Sequence, residues 1–251
     1  MRVRLSNAPR GPYDEPMNVL IVHAHPEPKS FTTAMKDVAV RTLTGAGHHV
    51  EVSDLYAMGF DPVAKASDFM SRADPDYLVY ALEQRKAFER GTLPPDVDSE
   101  LRRVLAADLL LLSFPIFWFS VPAILKGWID RVLISGVTYG GKRFYDRGGL
   151  KGRKALVAVT LGGREHMFGP DAIHGPLEDM LRHLLRGTLY YVGYDVLPPF
   201  ISWHVPYVDD QVRRGYLDRY RDYLGRLEAV EPLKFPRLDD FDDRLYPKKP
   251  Q

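Results

Sequence analysis

The segment that most constrains this chain is Asp108–Pro115, DLLLLSFP. It falls well short of the roughly 18 apolar residues that a membrane helix requires. A short, near-continuous apolar run is instead the mark of a strand covered on both faces, as in a parallel sheet flanked by crossover helices. Asn18–His25 (NVLIVHAH) and Lys154–Leu161 (KALVAVTL) have the same character. His49–Leu55 (HVEVSDL) alternates and reads as a further strand. Asp195–Ser202 (DVLPPFIS) gives a fifth, which Pro198 and Pro199 place near an edge or shorten.

Helical patterns lie between these runs. Phe31–Gly45 carries apolar residues at Phe31, Ala34, Met35, Val38, Ala39 and Leu43, one buried face ended by Gly45 and Gly47. Val97–Ala107, Pro122–Ile134, His174–Tyr191 and Asp209–Val230 also read as helices, with Pro122 suited to a first helical position. Strands alternating with helices predict βαβ units, hence an α/β fold with a doubly wound parallel five-stranded sheet. The 251 residues leave room for one large domain or two small ones. The pattern assigns one domain to residues 17–230, a loose extension to 1–16 and a short charged tail to 231–251.

Composition narrows the function. With 34 Lys+Arg against 33 Asp+Glu, the chain lacks the basic excess of a nucleic-acid binder. It has no cysteine, which excludes disulfides, thiolate metal sites and a Cys nucleophile. The first residues lack the apolar core of a signal peptide, so the expected location is the cytoplasm. Met17, directly before the first strand, offers an alternative start.

Open parallel sheets bind ligands at the carboxyl ends of their strands. The turns after the first, third and fourth strands are therefore where chemistry is expected. In His25–Thr32, Ser30 or Thr32 can cap the following helix, whose amides and dipole favour an anion. His25 and Lys29 could add positive charge there. The loop has neither GxGxxG nor a P-loop, which disfavours ordinary nucleotide-triphosphate chemistry, whereas a hydroxyl-rich loop suits a flavin phosphate. Alternatively Ser30 only caps its helix and His25 faces solvent. In Pro115-Ile116-Phe117-Trp118-Phe119-Ser120-Val121-Pro122, three consecutive aromatics cannot all be buried on one face. They fit the wall of a flat ring such as isoalloxazine, or else a core or dimer cluster. In the third turn, Thr160, Leu161, Gly162 and Gly163 allow close backbone approach to a flat ligand. His174 is the best candidate for a proton donor or electrostatic partner of a reduced ring, against a structural role.

Other chemistries are disfavoured. His23 and His25 would share one strand face, but no third metal ligand and no HExxH is found, so no metal is expected. There is no GxSxG elbow. Leu238–Arg244 lacks the Gly and terminal Glu of a calcium loop and reads as a solvated acidic turn.

Taken in order, Ala24-His25, Ser30-Phe31, Ser53–Met58, Phe114-Pro115, Trp118-Phe119, Val121–Trp128, Tyr145-Asp146, Gly162-Gly163 and Ile173-His174-Gly175 resemble the NAD(P)H:quinone oxidoreductases from about Asn18 to Leu227. These are dimeric FAD enzymes of flavodoxin-like fold. The resemblance implies FAD as cofactor, with FMN as the alternative, NAD(P)H as co-substrate, and a quinone reduced by ping-pong two-electron hydride transfer. It puts His25, Lys29, Ser30, Phe31 and Thr32 at the pyrophosphate, and Pro115, Ile116, Phe117, Trp118, Phe119, Thr160, Leu161, Gly162, Gly163 and Phe168 at the isoalloxazine and ribityl. Arg213 and Leu217 fall near the adenine. His174 and Gly162 become the catalytic positions. The substrate cavity would join Trp118, Phe119, Phe168 and His174 of one subunit to Tyr139 and Tyr191 of the other. The excess over a minimal unit of this fold lies in Ala57–Pro95 and around Tyr139 and Gly163, where the family builds its dimer interface.

The chain also departs from the family. Phe168 stands where a tyrosine hydroxyl is usual near O4, Gly141 replaces a second cavity tyrosine, Val79 stands in for an FAD-contacting Gln, and the long C-terminal tail is largely missing after about Pro236. Related nitro-, azo- or general electrophile reductases, and a regulatory flavoprotein subunit of a membrane transporter, are the alternative functions.

Overall fold

The computed structural model describes residues 16–248; the extension read at 1–16 and the end of the 231–251 tail fall largely outside them. Its centre is a parallel sheet of β1 (Asn18–His23), β2 (His49–Asp54), β3 (Leu109–Pro115), β4 (Lys154–Thr160) and β5 (Asp195–Val196), in the order β2-β1-β3-β4-β5. A sixth strand, β6 (Phe200–Ser202), also pairs in parallel with β4. The single edge strand expected over Asp195–Ser202 is thus two pieces, β5 against Lys154-Ala155 and β6 against Ala158–Thr160. The break falls at Pro198 and Pro199, which have no N–H to give to the ladder.

Successive strand side chains point to opposite faces, and each face has its own core. Val19, Ile21, Leu109, Leu111, Leu156 and Ala158 pack with Met35, Val38, Ala39 and Leu43 of α1 (Phe31–Gly45) and Tyr220 and Leu224 of α6 (Asp210–Leu224). Leu20, Val22, Leu110, Leu112, Val157 and Val159 pack with Leu101 and Val104 of α3 (Pro95–Ala106), Leu125 and Trp128 of α4 (Ala123–Val132), and Leu181 and Leu184 of α5 (Leu177–Leu184). All seven residues of β3 are buried, as its apolar run requires.

Three helices differ from the reading of the sequence. α2 (Tyr80–Arg90) has no apolar stripe, and its buried residues are Glu83, Gln84 and Ala87. Gln84 donates to the carbonyls of Asp130 and Arg131, and Glu83 accepts the amides of Ala73 and Asp74, so hydrogen bonds rather than apolar burial seat it. α5 begins at Leu177, not His174, because Gly175 has φ +71° and Pro176 precedes the first turn; its C-terminal end widens into a π-helix over Leu185–Tyr190. α6 ends at Leu224, with a 3-10 turn at Leu227–Ala229 beyond it.

Candidate functional site

The chain turns from β1 toward β2 on one side and β3 on the other, so the carboxyl ends of β1 and β3 flank a topological switch point. A cleft of about 560 Å³ opens there. The β1–α1 loop supplies His25, Lys29, Ser30, Phe31 and Thr32, the end of β3 supplies Pro115, Ile116 and Phe117, and the end of β4 supplies Thr160, Leu161 and Gly162. Arg213 closes the far end with Val205 and Pro206, and Ala34 adds to the α1 side.

Ser30, and not Thr32, caps α1: its hydroxyl accepts the Thr33 amide at 3.1 Å and its carbonyl the Ala34 amide at 3.0 Å. Among the described residues the Phe31 and Thr32 amides have no partner, which leaves the positive end of α1 open toward the cleft. Thr32 is buried and hydrogen-bonds Thr160 at 2.8 Å, tying the start of α1 to the end of β4 across the cleft floor. His25 Nδ1 accepts the Glu27 amide at 2.9 Å, which leaves Nε2 as the ring's donor. Desolvation holds its pKa below the ordinary value, so His25 brings an N–H to the loop rather than the charge expected of it. The Lys29 amide donates to Glu27. Arg213 reaches the Val205 carbonyl and pairs with Asp210 at 3.1 Å.

The aromatic run after β3 forms a tight turn closed by reciprocal bonds of 3.0 Å between Phe117 and Ser120. Trp118 and Phe119 hold φ of 50° and 57°. Two bulky side chains in the left-handed region are strained, and such strain persists where surroundings or function over-determine it. The turn leaves Trp118 97% exposed. The Trp118 and Phe119 amides, like those of Gly162 and Gly163, have no partner among the described residues. Four backbone donors therefore stand beside the cleft from two directions.

Trp118, Phe119, Gly163, Phe168 and His174 adjoin the cleft without lining it. Phe119, Phe168 and His174 form a ring cluster, with centroids 5.3 Å apart for Phe119–His174 and 5.0 Å for Phe168–His174. A Cβ on Gly163 would come within 2.7 Å of Phe168 Cε2, so glycine is what lets this ring lie over the loop. Tyr139 and Tyr191 sit in a second cluster, 5.6 Å apart and beside Phe144 and Tyr145. Burial raises the Tyr139 pKa, with Tyr191 adding to it. Within one chain the predicted site residues thus fall into the cleft, the His174 cluster and the Tyr139 cluster.

His25 lies beyond the end of β1, in the loop that lines the cleft, whereas His23 is the last residue of the strand. It ends β1 as a buried ring between the hydroxyls of Ser113 at 3.1 Å and Thr33 at 3.2 Å, and desolvation lowers its pKa to about 4. Among the described residues no group of three or more His, Asp or Glu could hold a metal, and no helix is long and apolar enough to cross a membrane. The acidic turn near Leu238 is stapled internally, with Asp240 accepting the Arg237 amide and Asp242 those of Arg244 and Tyr246. The segment after β6 lies outside the three turns that the sequence marks for chemistry, yet it belongs to the site. That segment contributes Val205 and Pro206 to the cleft and places Trp203 5.1 Å from Phe168.

Sheet order, cleft and open helix amides together define a flavodoxin-like α/β protein, and a family model described as flavodoxin-like fold matches residues 17–224. The chain is 42% identical over 216 residues to ribosyldihydronicotinamide dehydrogenase (quinone) of Mus musculus, covering 86% of this chain and 94% of that one. It is 38% identical to NAD(P)H dehydrogenase (quinone) 1 of Cavia porcellus, covering 89% and 82%. A crystal structure described as a candidate quinone reductase from Klebsiella pneumoniae superposes with a TM-score of 0.86 at 34% identity, over 92% of this chain and 94% of that one. General stress protein 14 of Treponema denticola, solved in complex with FMN, superposes with a TM-score of 0.58 at 28% identity, over 84% and 98%. The chain belongs to the NAD(P)H:quinone oxidoreductase family.

Proposed function

We propose that the protein is a flavin-dependent reductase that passes two electrons from a reduced nicotinamide to a quinone, with FAD as its cofactor. The observation that carries this reading is the cleft at the carboxyl ends of β1, β3 and β4, with open helix amides at one side and four backbone donors beside an aromatic turn at the other. The donor set fits a flavin: anion-binding amides for phosphate, and N–H groups with aromatic walls for the polar edge and faces of the ring. The cleft continues past the start of α1 to Val205, Pro206 and Arg213, length that an adenylate would use and FMN would not, which favours FAD.

When bound, a flavin supplies two-electron chemistry that no side chain of this cysteine-free chain can offer. The Phe31 and Thr32 amides, the Ser30 hydroxyl and the His25 Nε2–H hold the pyrophosphate. The amides of Trp118, Phe119, Gly162 and Gly163 orient the ring edge and favour negative charge on it. His174, against Phe119 and Phe168, holds or releases a proton beside the ring. Nicotinamide and quinone use the same space in turn. A second copy of the chain covers Trp118 and Ile173, 97% and 82% exposed here, and brings its Tyr139 and Tyr191 to the site. The homodimer is accordingly the catalytic unit, working in the cytoplasm.

The test is acceptor-dependent oxidation of NADH, NADPH and dihydronicotinamide riboside by the purified yellow protein with a quinone. The third donor is included because one relative's name specifies it. No turnover with any of the three would overturn the proposal.

A further inference from the structure

His204 stands immediately before Val205 and Pro206, at the end of the cleft that Arg213 closes. Its backbone has φ 56° and ψ 27°, the left-handed region that glycine favours. The residue there is nevertheless a histidine, and its amide and its Nδ1 both face the glycine pair of the third loop. Its amide donates to the Gly163 carbonyl at 2.9 Å. Its Nδ1 lies 2.7 Å from the Gly162 carbonyl, and its Nε2 lies 3.3 Å from Arg164 Nε. A carbonyl can only accept and the Arg164 Nε–H can only donate, so Nδ1 is the ring's donor to Gly162 and Nε2 its acceptor from Arg164. Tyr207, whose amide bonds the His204 carbonyl, packs on the ring at 4.8 Å and on the open side of Gly162.

A trans peptide is planar, with its N–H opposite its C=O. Gripping the Gly162 carbonyl therefore fixes the direction of the Gly163 N–H, which points away from the His204 ring. Two consecutive glycines have the least intrinsic backbone preference of any pair, so this direction has to be imposed from outside. Among the described residues that N–H has no partner. Resting on the flavin reading above, we infer that His204 is a positioning residue: it clamps the Gly162–Gly163 peptide so that its N–H serves the flavin's pyrimidine edge, and thereby sets how readily the bound flavin accepts electrons. Negative charge gathers on that edge when a flavin is reduced, and an oriented N–H there binds the reduced form more tightly than the oxidised form. Preorganisation is what makes the donor effective, since an amide free to rotate loses its advantage to solvent. His204 touches neither substrate nor cofactor in this arrangement and works through the glycines.

The experiment compares wild type, His204→Gly and His204→Asn as flavin-loaded proteins. His204→Gly removes the ring while relieving the left-handed strain, so apoprotein melting should stay level or rise. His204→Asn keeps a side chain that tolerates φ near 56° and can donate to the Gly162 carbonyl. The primary readout is the two-electron midpoint potential of the bound flavin, measured by dye equilibration, with oxidised-flavin affinity from fluorescence quenching. In His204→Gly the reduced form should lose about tenfold in affinity relative to the oxidised form, a potential lower by about 30 mV. His204→Asn should restore more than half of that shift. A His204→Gly protein that binds flavin at the wild-type potential overturns the inference, as does an Asn variant no better than Gly. A wild-type protein that binds no flavin overturns the functional proposal instead, so the two failures are distinguishable.

Discussion

The bond between Thr32 and Thr160 offers the sharpest energetic test of the cleft floor. Both side chains are buried, at 2% and 5% exposure, and their hydroxyls are 2.8 Å apart. Thr32→Val removes one hydroxyl at nearly constant volume and leaves the other buried without its partner. A neutral hydrogen bond contributes about 1 kcal/mol net, and a stranded buried hydroxyl costs about 1–3 kcal/mol. Thr32→Val or Thr160→Val alone should therefore destabilise the apoprotein by about 1–3 kcal/mol, a fall in Tm of roughly 2–12 °C for a domain of this size. The double variant strands nothing, so it should be destabilised by clearly less than the sum. A coupling of about 1 kcal/mol or more is expected from chemical denaturation of the four proteins in the cycle. Single effects that simply add to within about 0.3 kcal/mol would falsify the claim that this pair joins α1 to β4.

Four further outcomes follow from the same geometry. His174→Ala should slow reduction of the bound cofactor by on the order of 100-fold in stopped flow while leaving flavin binding intact; a normal reductive rate would remove His174 from the proton-holding role. Phe168→Tyr should raise that rate by adding a hydroxyl donor beside the ring, and an unchanged or lower rate would mean the cluster around Trp203 has no room for it. Gly127→Ala should lose about 1–3 kcal/mol or fail to fold, because its Cβ would lie within 2.1 Å of the Pro62 carbonyl oxygen; wild-type melting would contradict that packing. His23 titrates near 4 in the fold against 6.5 when unfolded, so the unfolded chain binds the extra proton between these values. Its contribution, on the order of 3 kcal/mol, is complete above pH 6.5 and is lost as pH falls toward 4. The stability gap between wild type and His23→Asn should narrow over that window, and a gap independent of pH would refute the assignment.

What could be read from the sequence followed where burial alone decides structure. The runs in β1, β3 and β4 and the apolar face of α1 declare themselves because hydrophobic residues recur at the period of their element. α2 carries no such signal because Glu83 and Gln84 are its buried side chains, and their burial is satisfied by backbone groups outside the helix: the Ala73 and Asp74 amides for Glu83 and the Asp130 and Arg131 carbonyls for Gln84. α5 starts at Leu177 and not at the expected His174 because an apolar pattern does not reveal that Gly175 takes a positive φ. Chemistry-bearing loops were visible through residue type, as in the Phe117–Phe119 run and the Gly162–Gly163 pair. His204 was not, since its significance lies in a left-handed backbone and a grip on Gly162, neither of which has a sequence period.

The central claim is that the cleft between β1, β3 and β4 holds a flavin long enough to reach Arg213. The most direct measurement is the mass and stoichiometry of the cofactor released when the purified protein is denatured. The account predicts FAD at one molecule per chain. A colourless protein that takes up neither FAD nor FMN on reconstitution would contradict it.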